Sequence, residues 1–199
     1  MDYAGLQSAI ASWSNRDDLT AQLPQFIEFA EARINRDLRH FGMENRAQAT
    51  CTGPYFPLPC DWLQTIRVVC DGEPLRLIDG VTMERMVAAG AGGTKTKYYR
   101  HSERNLQLYP VPNNATITME YIGKVPPLSD AEPENWLLTE FPDIYLYACL
   151  MQVASFLADT EQLGVWGQGY GEAVLQANKS STISEWSGTG LKVYSRGMP

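Results

Sequence analysis

PDIYLYACLMQVASFLAD, residues 142–159, predicts a helix with apolar side chains on almost every face. Such a helix must be covered on nearly all sides, because little of its surface gains from contact with water. Its longest apolar run, Ile144 to Met151, is far shorter than the ~20 residues that a membrane span needs. The stretch therefore predicts either the centre of a helical cluster or a subunit interface.

On the C-terminal side, a second long helix is predicted from about Glu161 to Trp186. Its apolar positions recur at the spacing of a helix-packing seam: Leu163, Trp166, Tyr170, Val174, Ala177 and Ser181. Three glycines on a neighbouring strip, Gly164, Gly167 and Gly171, indicate either close approach of another backbone or a bend. The tail that follows is locally basic.

On the N-terminal side, residues 46–123 change to a period of two, which is typical of strands. Asp71-Gly72 predicts a tight hairpin between Thr65–Cys70 and Glu73–Leu77, because both turn positions need positive φ. A short helix is predicted over Asp79–Ala88, and further strands over 97–100, 106–109 and 115–122. Short strands with tight turns favour a small antiparallel barrel or sandwich.

The first 45 residues predict two helices, Tyr3 to about Trp13 and Pro24 to about His40. Beside the apolar face of the second helix lie Phe29, Arg33, Arg36 and His40. These four residues are interpreted either as a solvated edge with ion pairs or as a subunit contact that faces an acidic partner. Asp37 points toward the apolar face, and Arg33 is the expected partner of its carboxylate.

The predicted fold class is α+β, a helical bundle with an inserted small antiparallel β-barrel or sandwich. Two N-terminal and two C-terminal helices, from residues 1–45 and 124–187, form the bundle. Residues 46–123 form the inserted β-domain, and residues 188–199 form a C-terminal tail.

The composition narrows the classes of function. With 199 residues, of which 44% are hydrophobic, the chain has material for a real core. Its net charge of −7 argues against tight nucleic-acid binding, which needs lysines and arginines to neutralise phosphates. The N-terminus lacks a secretion signal, so we expect synthesis and use in a cytoplasm, and no membrane association.

No motif predicts catalysis, a metal or a cofactor. Nucleophile-elbow and P-loop sequences do not occur, and the glycines of 90–93 and 167–171 lack the strand-to-helix setting of a phosphate site. Four widely spaced cysteines and two isolated histidines do not fit zinc spacing, so reduced thiols are expected. A bridge between Cys51 and Cys60 is geometrically feasible but unsupported.

Several stretches together resemble the head-to-tail adaptor (head completion) proteins of tailed bacteriophages. The likeness runs from about Tyr3 to Asp159 and depends on the order and spacing of the stretches. They are PQFIEFAEARINRDLR (24–39), YFPLPCDWLQTIRVVCDGEPL (55–75), LQLYPVP (106–112), YIGKVPPLSD (121–130) and NWLLTEFPDIYLYACL (135–150).

The resemblance implies a virion structural protein without enzymatic activity, assembled in the host cytoplasm. It implies a dodecameric ring of copies that docks beneath the portal protein and contacts a tail or nozzle protein. DNA would pass through the ring's channel without specific binding. By the same analogy, four residues of the tail would dock on the portal: Leu191, Lys192, Tyr194 and Arg196.

Three alternatives remain open at this point. A tail-completion or stopper protein would share the virion role at a lower position in the stack. A non-viral small binding module would hold a ligand or peptide on its β-domain. A hydrolase would need carboxylates, or a cysteine and a histidine, to converge in one cleft.

Overall fold

The computed structural model describes residues 1–16, 18–90 and 93–186, with the backbone alone for 182–186. The chain divides into two compact units. The helical unit combines Met1–Gly42 with the chain from Val125 onward, and the β-unit is Met43–Lys124. The fold class is α+β, as predicted, with six α-helices and two sheets in the described residues.

The helical unit is built around one central helix. Its helices are α1 (Tyr3–Ser14), α2 (Leu23–Asp37), α4 (Trp136–Glu140), α5 (Pro142–Phe156) and α6 (Thr160–Trp186). Helix α5 contacts α1, α2, α4 and α6, and its residues Ile144, Tyr145 and Ala148 are fully buried. The apolar stretch thus lies at the centre of the helices of its own chain. Within the described residues, no helix is both long and apolar enough to cross a bilayer.

Helix α6 packs on α5 through the predicted seam, in which Tyr170, Val174 and Ala177 are buried. The close approach predicted at Gly164, Gly167 and Gly171 is not found there: a Cβ added at Gly164 or Gly171 would have no such neighbour within 4 Å, and one at Gly167 would make an ordinary contact of 3.6 Å with Met151. The tight position is instead Gly169, where an added Cβ would lie 3.3 Å from the Tyr147 ring of α5.

The segment between the β-unit and α4 is held against α2 by side chains. Asn35 Oδ1 accepts a hydrogen bond from Val125 N at 2.8 Å, and Glu31 Oε1 accepts one from Leu128 N at 2.7 Å. Asn135 then caps the N-terminus of α4 by accepting from Leu138 N at 2.8 Å. The sequence analysis missed α4, because this five-residue helix is too short for a periodic pattern.

The β-unit contains two four-stranded sheets. The strands are β1 (Glu44–Cys51), β2 (Tyr55–Pro57), β3 (Trp62–Cys70), β4 (Glu73–Pro74), β5 (Arg76–Leu77), β6 (Tyr98–Ser102), β7 (Asn105–Tyr109) and β8 (Ala115–Gly123). Their orders are β1-β8-β3-β4 and β2-β7-β6-β5. Helix α3 (Gly80–Ala88) follows β5 where a short helix is predicted, and the Asp79 side chain caps its N-terminus.

Neither sheet closes into a barrel among the described residues, so the barrel alternative is wrong. Both sheets instead contribute to one buried cluster, which includes Val68, Ile117 and Met119 from the first and Leu106 and Leu108 from the second. Two open sheets therefore share one apolar core.

Two further strand predictions are corrected. Asp71 and Gly72 form the predicted turn with positive φ, but the strand expected over Glu73–Leu77 divides into β4 and β5. Strand β5 joins the other sheet and pairs with β6 in parallel, so the β-unit is not wholly antiparallel. Ile66 is 48% exposed, because the register shifts between Thr65 and Arg67 and interrupts the predicted alternation.

Candidate functional site

Three of the four predicted contact residues lie on the outer face of α2, which we call the α2 strip: Phe29, Arg33 and Arg36. Phe29 is 49% exposed, Arg36 is exposed and Arg33 is half-exposed. The opposite face of α2 is buried in the helical unit, where Ile27 and Ile34 have at most 1% exposure. The amphipathic pattern thus orients the strip outward.

His40 does not belong to this strip, because α2 ends at Asp37 rather than near His40. Its side chain is buried, stacked on Trp136 at a centroid distance of 5.4 Å and set against the edge of Phe141. His40 Nδ1 accepts a hydrogen bond from Gly42 N at 3.1 Å. Burial lowers the pKa of His40, although the charge of Glu140 opposes that shift.

Helix α6 supports the strip through the Tyr170 phenol, which contacts the Asp37 carboxylate and the Arg33 guanidinium of α2. The Tyr170 hydroxyl donates to Asp37 Oδ2 at 3.1 Å, and Arg33 Nε lies 3.5 Å from the same oxygen. The Arg33 guanidinium also lies 5.3 Å from the centroid of the Tyr170 ring. The predicted pairing of Arg33 with Asp37 is therefore present, but the Asp37 side chain is 41% exposed rather than buried.

The surroundings of the Tyr170 hydroxyl keep that phenol protonated. Burial, followed by the nearby negative charge of Asp37, raises the pKa of Tyr170, so the phenol stays protonated and donates. Arg33 Nε is buried and has no hydrogen-bond partner within the described residues.

Two polar residues of α6 fix the chain beyond α2: Asn178, which was not predicted, and Ser181, which was predicted only as a position of the packing seam. Asn178 Oδ1 accepts from Arg39 N at 2.8 Å, and Ser181 Oγ accepts from Phe41 N at 2.8 Å. These bonds satisfy two backbone N–H groups of the non-helical chain that follows α2. The available signal was a pair of polar residues three apart along an otherwise apolar seam.

Positive charge gathers at this end of the helical unit. Arg33, Arg36 and Arg39 lie in or after the last turns of α2, and exposed Lys179 follows Asn178 on α6. Cations at a helix C-terminus are favoured by the helix dipole. This end differs from the unit as a whole, since the chain outside residues 43–124 has seven Lys/Arg and fifteen Asp/Glu, a net charge of −8.

The remaining site predictions concern the C-terminal tail, the cysteines and a metal site. The four tail residues proposed for portal docking, Leu191, Lys192, Tyr194 and Arg196, lie outside the described residues. All four cysteines are free thiols, and Cys60 is exposed. Residues 1–16, 18–90 and 93–186 contain no group of three or more His, Cys, Asp or Glu that could hold a metal ion.

Two comparisons with known proteins concern the chain as a whole. The sequence model of the family described as SU10 adaptor protein matches residues 1–192, which includes every described residue. No curated protein matches the chain.

Proposed function

This chain belongs to the SU10 adaptor protein family, a family of phage head-to-tail adaptors, and from that premise we propose that it forms a ring beneath the portal. The role in the virion is structural, and the family match over residues 1–192 is the single observation that carries this conclusion. In the proposed ring, twelve copies extend the DNA channel toward a tail or nozzle protein without catalysing a reaction.

We propose a separate role for each part of the chain. Residues 1–45 and 124–187 act as a helical bundle, residues 46–123 as an inserted sandwich, and residues 188–199 as a tail that engages the portal. Support for the sandwich comes from the apolar core that the two open sheets share. Support for the bundle comes from the contacts of α5 with α1, α2 and α6.

The α2 strip is the proposed contact with a neighbouring copy. Phe29 offers an exposed aromatic ring, and Arg36 offers a charge that has no partner within the described residues. Arg33 is already held by Asp37 and Tyr170, so its ordering costs less entropy on binding. Aromatic and arginine side chains of this kind are frequent anchors of protein interfaces.

The channel role draws support from charge. Both the net charge of −7 and the −8 of the helical unit repel phosphates, so DNA would slide past such a surface without being retained. Because retention of DNA needs cations that compensate its phosphates, we predict that DNA passes through the channel without specific binding.

The proposal is tested by sedimentation velocity of the protein alone and mixed with the portal ring of its own phage. We expect co-sedimentation at ring stoichiometry. The variant F29A/R36E should reduce incorporation into the ring, whereas V81A/R85E, a matched change on exposed α3 residues, should not. A protein that ignores the portal contradicts the adaptor position and favours the stopper role or the binding module.

The tail is tested separately by deletion of residues 187–199. We expect the shortened chain to lose portal binding while it keeps its far-ultraviolet circular dichroism spectrum. Unchanged portal binding would remove Leu191, Lys192, Tyr194 and Arg196 from the proposal and leave the ring itself unaffected.

A further inference from the structure

The β-unit carries a polar groove of about 760 Å³ at the end of the chain segment that leads into β6. Three cations, Arg76, Lys95 and Lys97, line it together with Tyr98. None of the three forms a side-chain hydrogen bond or ion pair with another described residue. The groove therefore presents unpaired positive charge on a chain whose net charge is −7.

The backbone fixes these cations in place. Thr96 is buried between the two exposed lysines, and its hydroxyl donates to Pro110 O at 2.8 Å. Lys97 N donates to Tyr109 O at 3.0 Å, and Lys97 O accepts from Arg76 N at 2.9 Å. Both lysines line the groove, and Lys97 is held there by the backbone bonds at its own N and O.

The helical unit presents the complementary feature, an exposed acidic segment of sequence DAEPE at residues 130–134. Its carboxylates, on Asp130, Glu132 and Glu134, form no ion pair with another described residue. The segment is held by bonds from Ser129 N to Glu132 O at 3.0 Å and from Tyr3 N to Pro133 O at 2.8 Å. It is thus presented in an ordered form, which lowers the entropy cost of docking.

We propose that the Arg76/Lys95/Lys97 groove of one copy binds the acidic segment Asp130–Glu134 of a second copy. This inference rests on the proposed ring, because each copy supplies both the groove and the segment of a head-to-tail contact that can close on itself. Opposite charges across the contact set its orientation and speed its formation.

The distribution of charge favours this pairing over contact between like units. Two helical units, each with a net charge of −8, repel one another, whereas the β-unit has nine Lys/Arg and eight Asp/Glu, a net charge of +1. A contact between the helical unit of one copy and the β-unit of the next avoids that repulsion.

The two carboxylates in the groove disfavour DNA as the occupant. Asp71 Oδ1 accepts from Thr116 N at 2.8 Å, but the Glu73 carboxylate has no partner within the described residues. A duplex brings one phosphate charge about every 1.7 Å along its axis, and the lining, with a net charge of +1, cannot neutralise such a density. Three spaced carboxylates on a peptide match three cations more closely.

The test is coupling of carboxylates to lysine amines by a zero-length carbodiimide in a mixture of unlabelled and 15N-labelled protein, with and without the portal ring. We expect cross-linked peptides that join Lys95 or Lys97 to Asp130, Glu132 or Glu134 and that combine both isotope labels. Products that contain only one label would place the contact within one chain and overturn the inference. Absence of the product also overturns it, whether or not a ring forms.

Charge reversal gives an independent measurement of the same contact. We expect K95E/K97E, and separately E132K/E134K, to weaken self-association about tenfold at low salt, and the four substitutions combined to restore it. R85E/R104E, which reverses two exposed charges of the β-unit outside the groove, should change association little. A K95E/K97E protein that self-associates normally but loses affinity for DNA would assign the groove to DNA instead.

These outcomes separate the inference from the proposed function. Sedimentation with the portal reports on the ring, and the mixed-label product reports on the groove. A ring that forms without the mixed-label product leaves the adaptor position intact and eliminates the groove contact. The mixed-label product without a portal-bound ring supports the groove contact and contradicts the adaptor position.

Discussion

The helical unit and the β-unit differ in charge and in what lies inside them. The helical unit has a net charge of −8 and the β-unit +1. In the helical unit, the Tyr145 hydroxyl is buried and accepts from Asn135 Nδ2 at 2.7 Å while it donates to Glu31 at 3.3 Å. In the β-unit, the shared cluster of both sheets is built of apolar and cysteine side chains and two tyrosines.

This difference indicates two ways to specify a fold. Hydrogen bonds that Glu31 and Asn35 accept, and one that Asn135 donates, fix one path for the segment that precedes α4. The β-unit relies on strand register and on the alternation of Ile117 and Met119 with outward residues. A buried polar group that loses its partner costs more than a neutral exchange of apolar groups, so we expect the helical unit to be less tolerant of polar substitution.

The largest expected effect comes from matched core truncations, I144A in the helical unit and I117A in the β-unit. Both side chains are fully buried, so each change should lower the free energy of unfolding by about 2–5 kcal/mol. If the two units unfold separately, hydrogen exchange measured by mass spectrometry will show faster exchange only in the unit that carries the substitution. Equal acceleration in both units would show that they unfold as one body and would contradict independent stability of the two units.

The next effect concerns two tyrosines that donate to carboxylates. Y145F should cost about 1–3 kcal/mol, because Glu31 then loses a donor inside the helical unit. Y121F in the β-unit removes a bond to Asp61, at 3.0 Å, that is only part-buried, so we expect about 0.5–1.5 kcal/mol. Urea denaturation of both variants measures the difference, and a larger loss for Y121F would contradict the assignment of the buried polar network to the helical unit.

A smaller, pH-dependent effect comes from His40. Burial depresses its pKa below 6.5, so the folded state binds fewer protons than the unfolded state as the pH falls below that value. Stability that is present above about pH 6.5 is therefore lost on acidification. H40N can keep the acceptor for Gly42 N, but it should lose about 0.5–1.5 kcal/mol of ring contacts and the pH dependence that His40 causes.

The β-unit offers the control for that measurement. Partial burial also lowers the pKa of His101, although the residue as a whole is exposed. Its ring lies against Trp62 at a centroid distance of 5.3 Å. H101N should therefore reduce the pH dependence of unfolding less than H40N does. The comparison needs thermal unfolding of each variant at several values between about pH 5 and pH 8.

His40 also shows where sequence reasoning stopped. The amphipathic period of α2 located its buried face and the exposed Phe29 and Arg36 correctly, because local periodicity reports which side of a helix is covered. The end of the helix was placed three residues too late. The chain just beyond the helix is held by Asn178 and Ser181, which accept from Arg39 N and Phe41 N, are about 140 positions away in sequence and leave no local signal.

The same limit applies in the β-unit. The Asp71-Gly72 turn and the alternation around Ile117 are local, and both were predicted correctly. Three features depend on partner strands that are distant in sequence. They are the division of Glu73–Leu77 between two sheets, the parallel pairing of Arg76 with Tyr98 and the shifted register near Ile66. Periodicity in one segment cannot encode which strand lies beside it.

The smallest expected effect compares one ion pair from each unit. Arg67 and Glu120 face each other across β3 and β8 with two bonds of 3.0 and 3.1 Å, but their side chains are 58% and 36% exposed. A double-mutant cycle with R67M and E120Q should give about 0.2–1 kcal/mol at about 0.1 M salt and less at about 1 M.

Arg33 is the counterpart in the helical unit, where the Tyr170 ring adds an interaction that salt screens less than the ion pair. R33K keeps the charge and loses the planar contact, so it should cost about 0.5–1 kcal/mol more than R67K at high salt. Urea denaturation at both salt concentrations measures this difference. Equal costs for the two lysine variants would mean that the Tyr170 ring adds nothing, and that the α2 strip is ordered by its ion pair alone.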